Sequence, residues 1–259
     1  MNTFWHSIAR YNEATWLWQA IIVFVGVVVT LWFAIRPSKR TTLVVKLYTT
    51  VLYLWLAVVY FYIYCSERAY NEIMALFWLI LAVVWCWDLC VKHRSEERVE
   101  PHKSLGYLLL FTPLLYPLIS MARGLQFPTI TSPVMPCTVM LYTMGLLLLQ
   151  RERVNLFIVL LLCHWSVIGL AKTAFFNIPE DHLMTCATLP AVYLFFKDSF
   201  QLDSSHKGKP GMVYINALLI SIFCGIAIIL LWSMYRQFSS GSFLSVSYTH
   251  LTLPTTPYV

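Results

Sequence analysis

The chain has 259 residues, of which 59% are hydrophobic and only 12% are charged. Its apolar residues form long uncharged blocks instead of short periodic stripes, which excludes an ordinary soluble domain. The net charge of +6 does not indicate nucleic-acid binding, because the Lys and Arg residues lie in short segments between the blocks, where they orient helices in a bilayer. The sequence therefore predicts an integral membrane protein whose partner is the lipid bilayer.

The first apolar block runs from Trp16 to Ile35 without a charged residue and follows the segment Tyr11 to Thr15. About twenty such residues cross roughly 30 Å of hydrocarbon as one helix, because a helix satisfies its own backbone there. Its basic residues follow the block instead of preceding it, which argues against a cleaved signal peptide. We expect this block to be the first membrane span.

Eight spans are predicted along the chain, in an all-α transmembrane bundle. The seventh reaches membrane length only if its helix begins at Pro179, a favoured first helical position, with Glu180 and Asp181 in the first turn. In order, the predicted spans are Trp16–Ile35, Leu43–Cys65, Ile73–Val91, Ser104–Ala122, Pro133–Gln150, Val154–Lys172, Pro179–Phe196 and Met212–Tyr235.

The Lys and Arg residues divide unequally between the two ends of the spans. Twelve of the eighteen follow odd-numbered spans, five lie on the opposite side, and Lys46 lies within the second span. By the positive-inside rule the richer side is cytoplasmic, so both termini are expected outside. We expect a multi-pass protein of the bacterial inner (cytoplasmic) membrane.

Residues 1–244 are predicted to form a single transmembrane domain, because no soluble segment or internal repeat interrupts the spans. The segment from Val246 to Thr256 resembles translated sequencing-adapter read-through. We therefore interpret residues 245–259 as a non-native tail and exclude them from the fold.

Four short motifs stand out: Tyr11-Asn12-x3-Trp16-x2-Gln19, Tyr107 with Tyr116-Pro117-Leu118, Pro133-x2-Pro136-Cys137-Thr138 followed by Gly145, and Pro179-Glu180-Asp181. Together they cover most of residues 4–190 and resemble a bacterial multi-pass membrane family catalogued only as a domain of unknown function. The chain departs from the family at Leu17, where Pro usually follows the Trp. The resemblance implies the helical membrane fold and brings no activity.

Polar residues of three of these motifs are predicted to lie on the outer side, each at the N-terminus of a span. Helix N-termini combine unpaired N–H groups with positive dipole ends, an arrangement that membrane proteins use to bind solutes and ions. The alternative is purely structural, with Asn12 and Thr15 as caps, Trp16 and Trp18 as interfacial anchors, and the acids as first-turn residues. The candidate ligand-binding residues are Asn12, Trp16, Gln19, Cys137, Thr138, His164, Lys172, Glu180 and Asp181.

Glu180, Asp181 and His182 are consecutive, so their side chains point about 100° apart on a helix and at most two of them line one pocket. Lys172 either pairs with Glu180 or Asp181 or extends to water. His164, in the middle of the sixth span, is either a functional group or a neutral hydrogen-bonding residue.

The cysteines are candidates for metal ligands and for disulfide partners. Cys86, Cys90 and His93 lie on one helix face, but no CxxC pair or second histidine accompanies them, so no metal and no cofactor is expected. A bridge between Cys137 and Cys186 requires neighbouring helices and stays open.

The favoured function is small-solute binding for transport or sensing, through an outward-facing polar pocket. One alternative is a membrane-embedded enzyme that uses Asp181 or Glu180 with His182 or His164; another is a structural or assembly protein without a ligand. The sequence lacks hydrolase, metalloprotease and nucleotide-binding motifs, which makes an enzyme the less favoured class.

Overall fold

The structure is a computed structural model that describes residues 3–68, 70–90, 102–150, 154–176, 178, 180–205 and 232, with side chains for all of these except 171–176 and 199–205. The chain divides into two compact units, Met1–Pro210 and Gly211–Val259, and the fold below is that of the first. Apart from Trp232, the predicted eighth span Met212–Tyr235 lies outside the described residues, as does the tail 245–259.

Every regular element among the described residues is helical, which confirms the all-α prediction for this part of the chain. The helices are α1 Thr3–Ile35, α2 Lys39–Trp55 with a π-helical continuation Leu56–Tyr64, α3 Asn71–Cys90, α4 Lys103–Phe111, a 3₁₀ turn Thr112–Leu115, α5 Tyr116–Ala122, α6 Pro136–Leu149, α7 Leu156–Phe176 and α8 Asp181–Ser205.

Four helical segments of the described residues are long and apolar enough to cross a membrane. Two further helices are apolar but shorter, at Pro136–Leu149 and Leu156–Leu170. The first four predicted spans therefore have counterparts of spanning length: Thr3–Ile35, Lys39–Tyr64, Asn71–Cys90 and Lys103–Ala122.

Helix α1 begins at Thr3, well before the predicted start of the first span at Trp16. No Gly or Pro interrupts the preceding residues, so nothing there stops the helix from extending. It ends at Ile35 because Arg36 precedes Pro37, and a residue before proline is disfavoured in the α conformation. The alternative in which Asn12 and Thr15 cap this helix is wrong, since both lie inside it.

The fourth predicted span is broken into two helices. Pro113 lies at the start of the 3₁₀ turn and Pro117 at the start of α5. Proline has no N–H and crowds the preceding turn, so each one interrupts the helical ladder. The break places Tyr116 at the beginning of α5, facing the bundle interior, where it is 1% exposed.

Helices α4 and α6 cross at two glycines. A Cβ atom on Gly145 would lie 2.6 Å from the backbone nitrogen of Leu110 and 2.7 Å from the carbonyl oxygen of Gly106. Only a residue without a side chain permits backbones to approach so closely, as in the small-residue contacts of membrane helices. Gly145 therefore fixes the separation of these two helices.

Lys46 and Asp88 join the consecutive helices α2 and α3. Lys46 Nζ lies 3.4 Å from Asp88 Oδ2, and both side chains are largely buried. The Trp85 indole N–H donates to the carbonyl oxygen of Lys46 at 3.0 Å. The charge that the sequence places inside the second span thus has an acidic partner in the third.

Candidate functional site

Four helices contribute polar residues to one end of the bundle, which we call the Glu180 end. It comprises the first turns of α6 and α8, the N-terminal half of α1, helix α5 and the segment between α5 and α6, called here the 123–135 loop. The buried hydrogen bonds described next connect these parts, so the sequence motifs that are far apart in the chain meet there.

Asn12 and Gln19 fasten the 123–135 loop to α1. The Asn12 amide donates to the carbonyl oxygens of Pro128 and Ile130 at 2.7 and 2.8 Å. Gln19 donates to Asn12 Oδ1 at 3.2 Å and accepts from the Ser132 hydroxyl. Both amides are buried and bonded to protein groups. They therefore have a structural role, which is to hold the loop against α1.

Tyr11 adds a second attachment to the same loop. Its hydroxyl donates to the carbonyl oxygen of Val134 at 2.8 Å and accepts from the Trp55 indole N–H at 2.9 Å. The Tyr11-Asn12 motif therefore holds the loop through hydrogen bonds from two adjacent side chains.

A groove of about 520 Å³ lies between α1 and the 123–135 loop. Asn12, Trp16 and Gln19 contribute to its wall, which is otherwise largely apolar. Thr138 and Asp181 do not line it. The candidate residues thus divide between this groove and a separate cavity, and Thr131 of the loop belongs to the walls of both.

Glu180 is the centre of a buried polar cluster. Arg123 Nη1 lies 2.6 Å from Glu180 Oε2, and the Glu180 side chain is 0% exposed. The Ser120 hydroxyl donates to Glu180 Oε1 at 2.8 Å and accepts from the backbone N–H of Thr131 at 3.1 Å. The cluster connects α5, the loop and the start of α8, and it stabilises the carboxylate with a charge-assisted bond.

The cavity of about 30 Å³ lies beside this cluster. Cys137 Sγ donates to Asp181 Oδ2 at 3.2 Å. The residue Tyr116 is 1% exposed. Its hydroxyl has no hydrogen-bond partner among the described residues. The lining, which mixes these polar groups with apolar ones, consists of Phe4, Ile8, Tyr60, Tyr116, Thr131, Met135, Pro136, Cys137, Thr138, Ile178 and Asp181. We call it the Tyr116 cavity.

Thr138 lines this cavity, but its hydroxyl is already hydrogen-bonded to backbone groups at the start of α6. Its hydroxyl donates to the carbonyl oxygen of Pro133 at 2.9 Å and accepts from the backbone N–H of Met135 at 3.1 Å. The second bond is the half of a capping box in which the side chain of the third helical residue accepts from the N-cap backbone N–H. Thr138 therefore shapes the cavity wall.

The remaining candidate residues are spread over the bundle. His164 Nδ1 lies 3.0 Å from the carbonyl oxygen of Leu160 in its own helix α7. His182 is exposed while Asp181 is buried, so the two do not share one pocket. Lys172 belongs to α7, and its side chain lies outside the described ones.

Neither Cys137, which is buried, nor Cys186, which is exposed, is in a disulfide. The disulfide that the sequence left open is therefore absent between these two described residues. Cys86 and Cys90 are also free, and His93 lies outside the described residues.

Sequence reasoning missed Tyr116, Ser120, Arg123 and Thr131 as members of this site. In the sequence, Tyr116 stands out only as part of a family motif, and Arg123 only as one of the charges on the less basic side of the spans. The one usable signal was the pair of prolines at Pro113 and Pro117, which indicates a break where a polar side chain can turn inward.

These elements define an all-helical protein with several helices suited to crossing a membrane. Within that class, the chain belongs to DUF6064, a family of unknown function, whose model matches residues 1–206. The resemblance to a domain of unknown function is confirmed. No curated protein and no solved structure matches the chain.

Proposed function

We propose that this protein is an integral membrane protein that binds a small polar solute in the Tyr116 cavity, for transport or sensing. The observation that supports the proposal most strongly is the Tyr116 hydroxyl, which is buried and has no hydrogen-bond partner among the described residues, on a residue that lines the cavity. Leaving a buried hydroxyl unsatisfied costs about 1–3 kcal/mol. A molecule in the cavity that bonds to this hydroxyl recovers that energy.

The polar groups around the cavity have different roles. Asp181 and Tyr116 present a carboxylate and a hydroxyl to the cavity, and we assign them to solute recognition. Glu180 is bonded to Arg123 and Ser120, so it holds the framework around the site. Cys137 donates to Asp181 and orients that carboxylate.

We further propose eight spans with both termini outside, in the bacterial inner membrane, so that the Tyr116 cavity faces outward. The Lys and Arg distribution supports this orientation. The structure adds that the starts of α6 and α8 meet the N-terminal half of α1 at the Glu180 end, as expected if the first, fifth and seventh spans run in the same direction.

Topology reporters fused after Ser95 and after Gly208 are expected to be cytoplasmic, and a reporter after Phe176 external, because the basic segments follow odd-numbered spans. The measurement is the activity of paired reporters, one active only inside and the other only outside. An external signal after Gly208 would show that α8 does not cross the membrane.

Replacing Tyr116 by Phe is expected to remove a thermal stabilisation that small polar solutes give to the purified protein in detergent. A solute at a hundred times its Kd stabilises by about 2.7 kcal/mol, and the variant loses the hydroxyl that recognises it. The measurement is the Tm with and without each member of a solute panel.

Tyr53→Phe is the matched control, because the Tyr53 hydroxyl is also buried but donates to Thr143 at 2.8 Å and does not line the cavity. This variant is expected to lose some stability and keep the response to solute. A solute response that survives Tyr116→Phe unchanged would place the binding site elsewhere.

A further inference from the structure

We infer that the groove between α1 and the 123–135 loop holds an acyl chain of a membrane lipid. The inference does not depend on the solute proposed for the Tyr116 cavity. The groove has a volume of about 520 Å³, which lies in the range of pockets that bind small molecules. None of the described residues that line it is charged, so its wall is complementary to an uncharged, apolar ligand.

The groove follows α1 through one leaflet of the bilayer. The chain has no charged residue between Glu13 and Arg36, so the part of α1 that crosses hydrocarbon begins near Trp16. From Trp16, the α1 residues that line the groove extend to Val27, which is about 16 Å farther along the helix axis. One leaflet contributes about 15 Å of hydrocarbon. The groove is therefore as long as the space that an acyl chain occupies in the membrane.

The open side of the groove is continuous with the lipid-facing surface of α1. Trp16, Phe24 and Phe127 line the groove, and each is more than half exposed. Leu17 and Val28 of the same helix are also exposed. Because α1 is apolar and long enough to cross a membrane, these exposed side chains are covered by lipid hydrocarbon. A chain of the surrounding lipid is therefore the molecule that meets the open groove.

The buried polar groups of the wall already have partners within the protein. The side chains concerned, each hydrogen-bonded to a backbone or side-chain group, are Asn12, Gln19, Thr131 and Ser132. A polar solute would find these groups occupied, whereas a hydrocarbon chain requires no hydrogen bond. Because the Asn12 amide satisfies two carbonyl groups of the loop, this non-helical segment also tolerates an apolar neighbour.

A second cavity, of about 50 Å³, adjoins the groove and shares Val23, Val27 and Pro133 with it. The hydroxyls of Thr30 and Tyr142 in its wall are bonded to each other at 2.8 Å, so they do not require a polar ligand either. A flexible chain can extend from the groove into this cavity, whereas a straight helix about 10 Å in diameter cannot. The shape therefore favours a lipid chain over a helix of a second copy of the protein.

The test is photolabelling of the full-length protein in vesicles of phosphatidylethanolamine and phosphatidylglycerol. A small fraction of the phosphatidylglycerol carries a diazirine in the middle of one acyl chain, and the labelled residues are mapped by mass spectrometry. Ile130 and Pro133 line the groove and are only half-buried, so a chain must enter the groove to label them. We expect label at these two residues as well as at exposed positions such as Val83 of α3, which reports the surrounding lipid.

Ala20→Trp is the blocking variant, because Ala20 lines the groove and is exposed, so the larger side chain fills the groove without entering the bundle core. We expect label at Ile130 and Pro133 to fall about tenfold, since overpacking a site opposes a further occupant. Ala20→Leu is expected to lower it by less. Ala14→Trp is the matched control, because Ala14 is an exposed alanine of the same helix that does not line the groove.

Label at Val83 is expected to stay unchanged in all three variants, and Ala14→Trp is expected to label Ile130 and Pro133 as the wild type does. The inference is overturned if these two loop residues are not labelled, or if Ala20→Trp and Ala20→Leu both leave their labelling unchanged. It is also overturned if the protein is a dimer that Ala20→Trp dissociates, because a second copy then fills the groove.

Discussion

Replacing Arg123 by Met is expected to destabilise the protein by about 3 kcal/mol, because it leaves the Glu180 carboxylate buried without its cation. That carboxylate is 0% exposed, and Arg123 lies 2.6 Å from it. The Ser120 hydroxyl stays bonded to the other carboxylate oxygen and limits the loss. The measurement is the Tm in detergent, where each 1 kcal/mol corresponds to about 2–4 °C.

The double variant Arg123→Met with Glu180→Gln is expected to be more stable than Arg123→Met alone, since the buried charge is then absent. Arg10→Met is the matched control: Arg10 pairs with Glu67, but these side chains are 42% and 47% exposed, and exposed pairs contribute about 0–1 kcal/mol. Equal losses at Arg123 and Arg10, or strict additivity of the double change, would contradict the buried pair.

Replacing Gly145 by Ala is expected to cost about 3 kcal/mol, because the new methyl group would meet backbone atoms of α4 at 2.6 and 2.7 Å. Backbone atoms cannot move away by a torsional change as a flexible side chain can. The two helices must therefore separate and lose their packing. The measurement is again the Tm in detergent, with the yield of folded protein as a second readout.

Gly169→Ala is the matched substitution for this test. Its added Cβ would meet the terminal methyl group of Met184 at 1.9 Å, and methionine has flexible torsions that allow it to move. We expect a loss below about 1 kcal/mol there. If the Gly169 variant loses more stability than the Gly145 variant, the close crossing of α4 and α6 is not what holds these helices together.

The helical fold and the four segments of spanning length were predictable because they depend on local composition. Long uncharged blocks leave the backbone no alternative to a helix in hydrocarbon. Boundaries were less predictable: the start of α1 at Thr3 escaped prediction because Asn12 and Thr15 are residues typical of helix caps, whereas both lie buried inside the helix.

The polar cluster at the Glu180 end was predictable only in outline. Asp181, Cys137 and Thr138 do line one cavity. The sequence left open whether Lys172 pairs with Glu180 or Asp181 or extends to water, and among the described side chains Glu180 is paired with Arg123. Sequence spacing does not indicate that two residues 57 positions apart are in contact. The loop that brings Arg123 to Glu180 is fixed by bonds to α1, and those bonds depend on the complete tertiary fold.

The Tyr116 cavity shows the same limit more sharply. A tyrosine in an apolar block reads as an ordinary membrane residue, and nothing local indicates that its hydroxyl lacks a partner. That property follows from the break at Pro113 and Pro117 together with the position of Asp181 on a distant helix. Unsatisfied groups are a feature of the assembled structure, so they are found there and not in a motif.

The ion pair of Lys46 and Asp88 has a consequence for biogenesis. A single Lys or Asp in a helix opposes transfer from the translocon into lipid by about 3 kcal/mol at the helix centre and by less near the ends, where Lys46 and Asp88 lie. Because these two charges lie on consecutive helices, they can neutralise each other as soon as α3 has been synthesised. Joint release of α2 and α3 as a hairpin is therefore favoured over release of α2 by itself.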